Sequence, residues 1–249
     1  MSTYQMTGII IRHHDLREVD RTITLYTEEY GKITVLARGT RKISSKLAGS
    51  LEPIQLVTVQ CVRGARLDTV TDVTVQDAWR RLHAEPAALA LARYIATLLD
   101  RLLHDRQRDR HLYALVLQAL QRLDTSGITP AQLFLLRWFF VWQLVSAVGH
   151  QPEVNRCVIC RQVLAPSAVV FSWKRGGVAH ARCSSAIDVV PIGANTVKLL
   201  RELVHQPIER VMLLTMPSAV AQECERITTL FINAIAETDL SFRPFFESA

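Results

Sequence analysis

Asp20-Arg21-Thr22-Ile23-Thr24-Leu25-Tyr26-Thr27, the connection Glu28-Glu29-Tyr30-Gly31, and then Lys32-Ile33-Thr34-Val35-Leu36-Ala37-Arg38 read as two β-strands joined by a short turn of the hairpin kind. Residues branched at Cβ suit a pleated, half-buried surface, and Ile33, Val35 and Ala37 fall on one face at period two. The same composition recurs on either side, in Thr7–Arg12, Ile54–Cys61 and Leu67–Gln76. Five short strands in about 80 residues predict a small closed barrel such as an OB-fold. An SH3-like barrel would give a similar pattern. The longest gap between strands, residues 39–53, holds Gly39, Ser44, Ser45, Gly49, Ser50 and Pro53, a flexible and polar composition.

Beyond residue 86 the period becomes helical. Leu91, Ile95, Leu98 and Leu102 form one stripe, and Leu112, Val116, Leu120 and Leu123 form the next. Thr129-Pro130-Ala131-Gln132 is a helix start, with a capping threonine, proline at the first helical position and glutamine to reach back. The helix behind it buries Leu133, Leu136, Phe140 and Leu144, and Gly149 can end it. Further helices are predicted at about 194–205 and 218–237, with stripes Val197, Leu200, Val204 and Val220, Cys224, Ile227, Phe231. The predicted class is therefore α+β and multidomain. A barrel occupies residues 1–80, and a helical bundle occupies 81–249, interrupted at about 150–192 where the apolar period disappears.

With 249 residues, 49% of them hydrophobic, the chain can bury one core or two small ones. The greasiest stretch, Leu133 to Val148, is broken by Arg137 and Gln143 and is too short to span a bilayer, which needs roughly 20 apolar residues. The start, Met1-Ser2-Thr3-Tyr4-Gln5, lacks the charged-then-apolar order of a secretion signal. A soluble cytoplasmic protein without a membrane partner is expected.

The net charge of +6 is concentrated. Residues 31–66 carry Lys32, Arg38, Arg41, Lys42, Lys46, Arg63 and Arg66 against one acid, Glu52, so the rest of the chain is neutral. A solvated basic loop would look like this, but such density favours a polyanion site. Lysine and arginine on a barrel face neutralise phosphates and release counterions, which gives sequence-tolerant affinity that falls steeply with salt. Tyr26 and Tyr30 are the aromatics near the strip, and tyrosines on a barrel commonly belong to its half-buried core.

Five cysteines, an odd number without a secretion signal, argue against a disulfide framework. Cys157-Val158-Ile159-Cys160 is followed, after 19 residues, by His180-Ala181-Arg182-Cys183. Two knuckles of equal span can place three thiolates and an imidazole tetrahedrally around Zn²⁺. Between them, Val169–Trp173 reads as one short strand and Gly176-Gly177 as a turn into the second knuckle, as in a zinc ribbon. Four protein ligands leave no open position, so one Zn²⁺ per chain would be structural. A redox Cys-x-x-Cys would need a βαβ setting, which is absent. Cys61 and Cys224 read as small core residues.

An enzyme is the rival class. His83-Ala84-Glu85 with Cys157-x-x-Cys160 superficially resembles the zinc deaminases, but it leaves His180 and Cys183 unexplained. No phosphate-binding glycine loop, nucleophile elbow or supported carboxylate pair is visible, so no enzymatic activity is expected. A zinc-containing scaffold that binds only proteins is the other rival.

The order of features resembles the RecO family of bacterial recombination mediators. The likeness is carried by Asp15–Arg21 leading into Thr24–Thr27 and Tyr30-Gly31-Lys32, and by Ala37-Arg38-Gly39-Thr40-Arg41-Lys42 with Ser45-Lys46-Leu47 and Leu51-Glu52-Pro53. Val148–Pro152 running into the first knuckle, and Phe171 and Gly176-Gly177 before the second, complete it. The family members that keep the zinc site tend to use four cysteines, whereas His180 takes the third place here. The resemblance implies an OB-fold and a helical domain with a zinc-ribbon-like insert, in a cytoplasmic, nucleoid-associated protein of DNA repair. It implies binding of single- and double-stranded DNA, annealing of complementary strands, and action with RecR to load RecA onto DNA coated with single-strand-binding protein. Whether RecF takes part is not given by the residues.

Overall fold

The computed structural model describes residues 2–16, 18–40, 48–164, 169–184 and 188–242. These form two compact units, one running to Gly127 and the other starting at Ile128.

The first unit is built on five strands, β1 (Thr3–Leu16), β2 (Asp20–Thr27), β3 (Gly31–Ala37), β4 (Leu56–Val62) and β5 (Thr69–Asp77). They close into a barrel in the order β1-β2-β3-β5-β4. Because β5 enters between β3 and β4, the connections are Greek-key and the barrel is an OB-fold. Strand β1 is long enough to pair with β2 along its second half and with β4 along its first, and a register shift between Ile10 and Arg12 bends it around the barrel. The seam is short: Leu36 pairs with Thr69, and the Leu36 N–H donates to the Asp68 carbonyl at 2.8 Å. The alternation read in β3 holds throughout, with Ile33, Val35 and Ala37 buried and Lys32, Thr34 and Leu36 half-buried. They share the core with Ile10, Ile23, Leu25, Val57, Val59 and Cys61.

A short helix α1 (Arg80–Ala84) leads into α2 (Pro86–Leu102) and α3 (Arg110–Leu123). Helix α2 packs on β1. A second attachment comes from the α2–α3 loop, which lies along β3: the Arg106 N–H donates to the Lys32 carbonyl at 2.8 Å. That approach explains Gly31, whose φ is +65° and where a Cβ would run into the Gln107 carbonyl.

The second unit contains α4 (Pro130–Ala147), a three-stranded sheet of β6 (Val169–Ser172), β7 (Gly177–His180) and β8 (Val189–Ile192) in the order β7-β6-β8, then α5 (Ala194–His205), α6 (Ile208–Val211) and α7 (Ser218–Ala236). Helix α4 begins with the expected capping box: Thr129 and Gln132 exchange side-chain and backbone hydrogen bonds. It ends as Gly149, at φ +91°, turns the chain so that the His150 N–H reaches the Val145 carbonyl. Apolar residues surround α4, which packs against α5, α6 and α7. Trp142 of α4 stacks on Phe231 of α7 at 5.3 Å, and Phe171 of β6 meets both rings edge-on. This aromatic triad ties the small sheet to the helices. Among the described residues, no helix is long and apolar enough to cross a membrane.

Candidate functional site

The small sheet positions the cysteines. A tight turn carries Cys157 and Cys160, and it is fixed by the Cys157 N–H on the Gln162 carbonyl (2.8 Å), the Arg161 N–H on the Cys157 carbonyl (2.9 Å) and the Val158 N–H on the Val178 carbonyl of β7 (3.0 Å). Arg161 takes the left-handed conformation that closes the turn. Strand β7 ends at His180, and one 3₁₀ turn later comes Cys183. The ligand atoms of Cys157, Cys160, His180 and Cys183 all lie within 4.8 Å of one another. His180 Nδ1 is 3.5 Å from Cys160 Sγ and 3.9 Å from Cys183 Sγ. A tetrahedron with Zn–S bonds of about 2.3 Å has edges of about 3.8 Å, so the arrangement fits a zinc site.

The electrostatics agree with that fit. Burial works to raise the Cys157 thiol, yet backbone N–H groups of Cys160, His180 and Ile159, together with the Cys160 thiol, overcome it and bring its pKa down to about 6. Cys183 is raised, first by desolvation and then by the neighbouring sulfurs of Cys160 and Cys157. Sulfurs this close resist ionising together unless a cation sits among them. Cys61 and Cys224 are outside this cluster. Both are fully buried, and burial pushes their thiols up to about 11 and about 12, as expected of inert core residues. His83 is held by the Ile54 carbonyl at 3.0 Å, and it belongs to no metal-competent group among the described residues.

The basic residues of the barrel divide into three sets. Lys32 is nearly enclosed: its ammonium donates to the Asp100 carbonyl at 2.8 Å and lies 3.6 Å from an Asp105 oxygen. Arg38, Arg63 and Arg66 are exposed. Arg38 directly follows β3, whose end is stitched to the β4–β5 loop that carries Arg63 and Arg66. Arg41, Lys42 and Lys46 lie outside the described residues.

The structure adds aromatic and basic groups that the strip does not contain. Tyr4 and Tyr30 pair at 5.4 Å, with the Arg63 guanidinium 5.4 Å from the Tyr4 ring and the Arg108 guanidinium 5.9 Å from the Tyr30 ring. The Tyr4 hydroxyl donates to Asp68 at 2.5 Å. That bond, then the Gly64 N–H and the charges of Arg106 and Arg63, hold the Asp68 carboxyl below the usual carboxylate range despite its partial burial. Tyr26, by contrast, is fully buried against Tyr113. The platform therefore consists of Tyr4, Tyr30, Arg63 and Arg108, with Arg106 beside Asp68.

Comparison with known proteins covers nearly the whole chain. A family model described as Recombination protein O N terminal matches residues 1–79, and one described as Recombination protein O C terminal matches residues 83–240. The chain belongs to the RecO family. Relatives named DNA repair protein RecO include those of Symbiobacterium thermophilum (28% identity over 251 residues, 100% of this chain and 98% of the relative) and Roseiflexus sp. (30% over 237 residues, 95% and 82%). The relative from Desulforudis audaxviator is 31% identical over 227 residues, covering 90% of this chain and 88% of its own. This RecO-family chain thus spans nearly the full length of these DNA repair proteins. In it, the Cys/His cluster stands in the second compact unit and the tyrosine–arginine platform in the first.

Proposed function

We propose that this RecO-family chain is a non-enzymatic DNA-binding recombination mediator. The barrel, residues 1–80, takes single- and double-stranded DNA and brings complementary strands together. With RecR it helps to load RecA on DNA coated with single-strand-binding protein. These partner assignments rest on family membership.

The observation that supports the DNA-binding reading is the gathering of cations around two half-buried tyrosine rings on one unit. Arg38, Arg63 and Arg66 can neutralise phosphates, joined by Arg41, Lys42 and Lys46 of the adjoining segment. The ammonium of Lys32 already has carboxylate and carbonyl partners, so we assign it to holding the α2–α3 loop on β3. The Tyr4–Tyr30 pair offers π-faces to unpaired bases, which tolerates any sequence. Annealing then needs no covalent chemistry. A basic surface screens the repulsion between two strands and raises their encounter rate. Zinc, held by Cys157, Cys160, His180 and Cys183, would act as a structural staple with no open coordination position.

The direct test is annealing of two complementary oligonucleotides, one carrying a donor dye and the other an acceptor. The protein should accelerate annealing at low salt, and the acceleration should fade as salt rises. A protein that leaves the annealing rate unchanged at low salt and binds neither strand would be the protein-only scaffold instead.

A further inference from the structure

A cleft of nucleotide size lies wholly in the unit that carries the cysteines. It has a volume of about 550 Å³, in the range of small-ligand sites. The β6–β7 turn supplies Trp173, Lys174 and Arg175, His150 follows the end of α4, and Phe231 and Glu237 come from α7 and its end. Phe231 is buried, Trp173 is half-buried, and Lys174, Arg175 and His150 are exposed. Among the described residues, the side chains of Lys174, Arg175 and His150 make no hydrogen bond or ion pair. The turn is held by its backbone, with the Arg175 N–H donating to Ser172 Oγ at 3.3 Å and Gly176 at φ +65°. Two unpaired cations, Lys174 and Arg175, together with the His150 imidazole therefore surround an aromatic wall, and none of these side chains is used to hold the fold.

We propose that this cleft binds one unpaired nucleotide of a single-stranded nucleic acid, with its base on the Trp173 indole and its flanking phosphates on Lys174 and Arg175. Base–aromatic stacking needs a flat face beside a cationic track, and one β-turn provides both. The C-terminal ends of α4 and α7 also line the cleft, and helix C-termini carry partial negative charge, to which Glu237 adds. These groups oppose an anion moving inward and suit a neutral base with an N–H donor. The charged part of the ligand then stays at the turn. An acidic peptide, whose carboxylates would meet the same negative ends, fits less well. The site is separate from the barrel platform and requires a strand with exposed bases. A duplex does not present them.

The chain's other tryptophans, Trp79, Trp138 and Trp142, are at most 2% exposed, so quenching of accessible emission reports Trp173. Titrating the full-length protein with a short oligothymidylate should quench that component, and Trp173→Phe should abolish the signal. By fluorescence anisotropy, Trp173→Phe should bind the oligonucleotide nearly as well as wild type. Trp173→Ala should bind it about tenfold more weakly, the loss expected for one stacked base. Both should bind duplex DNA as wild type does, since no unpaired base is offered. Lys174→Glu/Arg175→Glu should lose single-strand affinity with an unchanged circular dichroism spectrum. The proposal is overturned if oligothymidylate binds without quenching Trp173, or if Trp173→Ala weakens single-stranded and duplex DNA equally. Quenching by an oligoglutamate peptide ending in phenylalanine, but not by oligothymidylate, would also overturn it. Loss of barrel binding alone would weaken both kinds of DNA, so the two sites fail in different ways.

Discussion

Cys157→Ser is expected to empty the metal site and unfold the small sheet. Cys157 is fully buried, and its sulfur is the one on which several backbone N–H groups converge. A serine hydroxyl there is a poor zinc ligand and leaves donors aimed at an uncharged oxygen. The strands it supports are only four residues each, too short to stand without a staple. Structural zinc contributes roughly 10–16 kcal/mol of apparent free energy in small zinc domains, which exceeds the net stability of most domains. Elemental analysis of protein purified without chelators should give about one zinc per wild-type chain and almost none for Cys157→Ser. The variant should also aggregate or melt far below wild type, while the isolated charge of the barrel is unaltered. Wild-type protein without zinc, or a variant that keeps zinc and melts normally, would show that no zinc holds the small sheet together.

Glu225→Ala is expected to cost about 3 kcal/mol. Arg137 sits in the middle of α4 with 1% of its side chain exposed, and its guanidinium donates to Glu225. The Trp138 indole N–H donates to the same carboxylate oxygen at 2.9 Å. Removing one partner of a buried pair leaves a desolvated charge, a loss of about 3–5 kcal/mol. Glu225 itself is partly exposed, which favours the lower figure. A thermal melt should show the variant roughly 10 °C below wild type. Pairing it with Arg137→Met should recover most of the loss, because the double variant buries no charge. If Glu225→Ala melts with wild type, the pair is not stabilising.

The barrel was legible because its signals are local. The β2–β3 hairpin and the period-two pattern of β3 appear in the sequence as they do in space, and Thr129–Gln132 caps α4 as its residue types require. The two stripes of α2 and α3 are buried as read, except that Leu102 is only half-buried. Strands β7 and β8 carry no signal in the sequence, for a physical reason. Four residues are too few to show a period, and β7 is buried at every position, so no alternation exists to detect. The single strand expected from Val169 to Trp173 ends at Ser172, and Gly177, expected in a turn, begins β7. Five-residue α1 lacks a stripe for the same reason.

The sites divide along the same line. Cys157, Cys160, His180 and Cys183 are visible as two knuckles because each pair is held by one turn. The surroundings of Lys32 could not be read, since its partners lie 68 and 73 residues away. Tyr4, Arg106 and Arg108 are likewise distant in sequence from the basic strip. Only closure of the barrel and the return of the α2–α3 loop to β3 bring them together. Tyr26, beside Tyr30 in the sequence and a neighbour of the strip, is buried against Tyr113 of α3, while Tyr30 remains half-buried at the turn.

Cations on the barrel are expected to follow a phosphate backbone, and the salt dependence of binding shows whether they do. Affinity for single-stranded DNA should be measured by fluorescence anisotropy at several salt concentrations, for wild type and for Arg38→Ala/Arg63→Ala/Arg66→Ala. Each lost phosphate contact lowers the slope of log affinity against log salt by roughly 0.7, so the triple variant should be flatter by about 2. All three side chains are exposed, and each substitution should change stability by no more than about 0.5 kcal/mol. Circular dichroism should therefore match wild type, and the weakening should be similar for every DNA sequence. A folded triple variant that binds as tightly as wild type, with the same slope, would contradict the assignment of this end of the barrel to DNA.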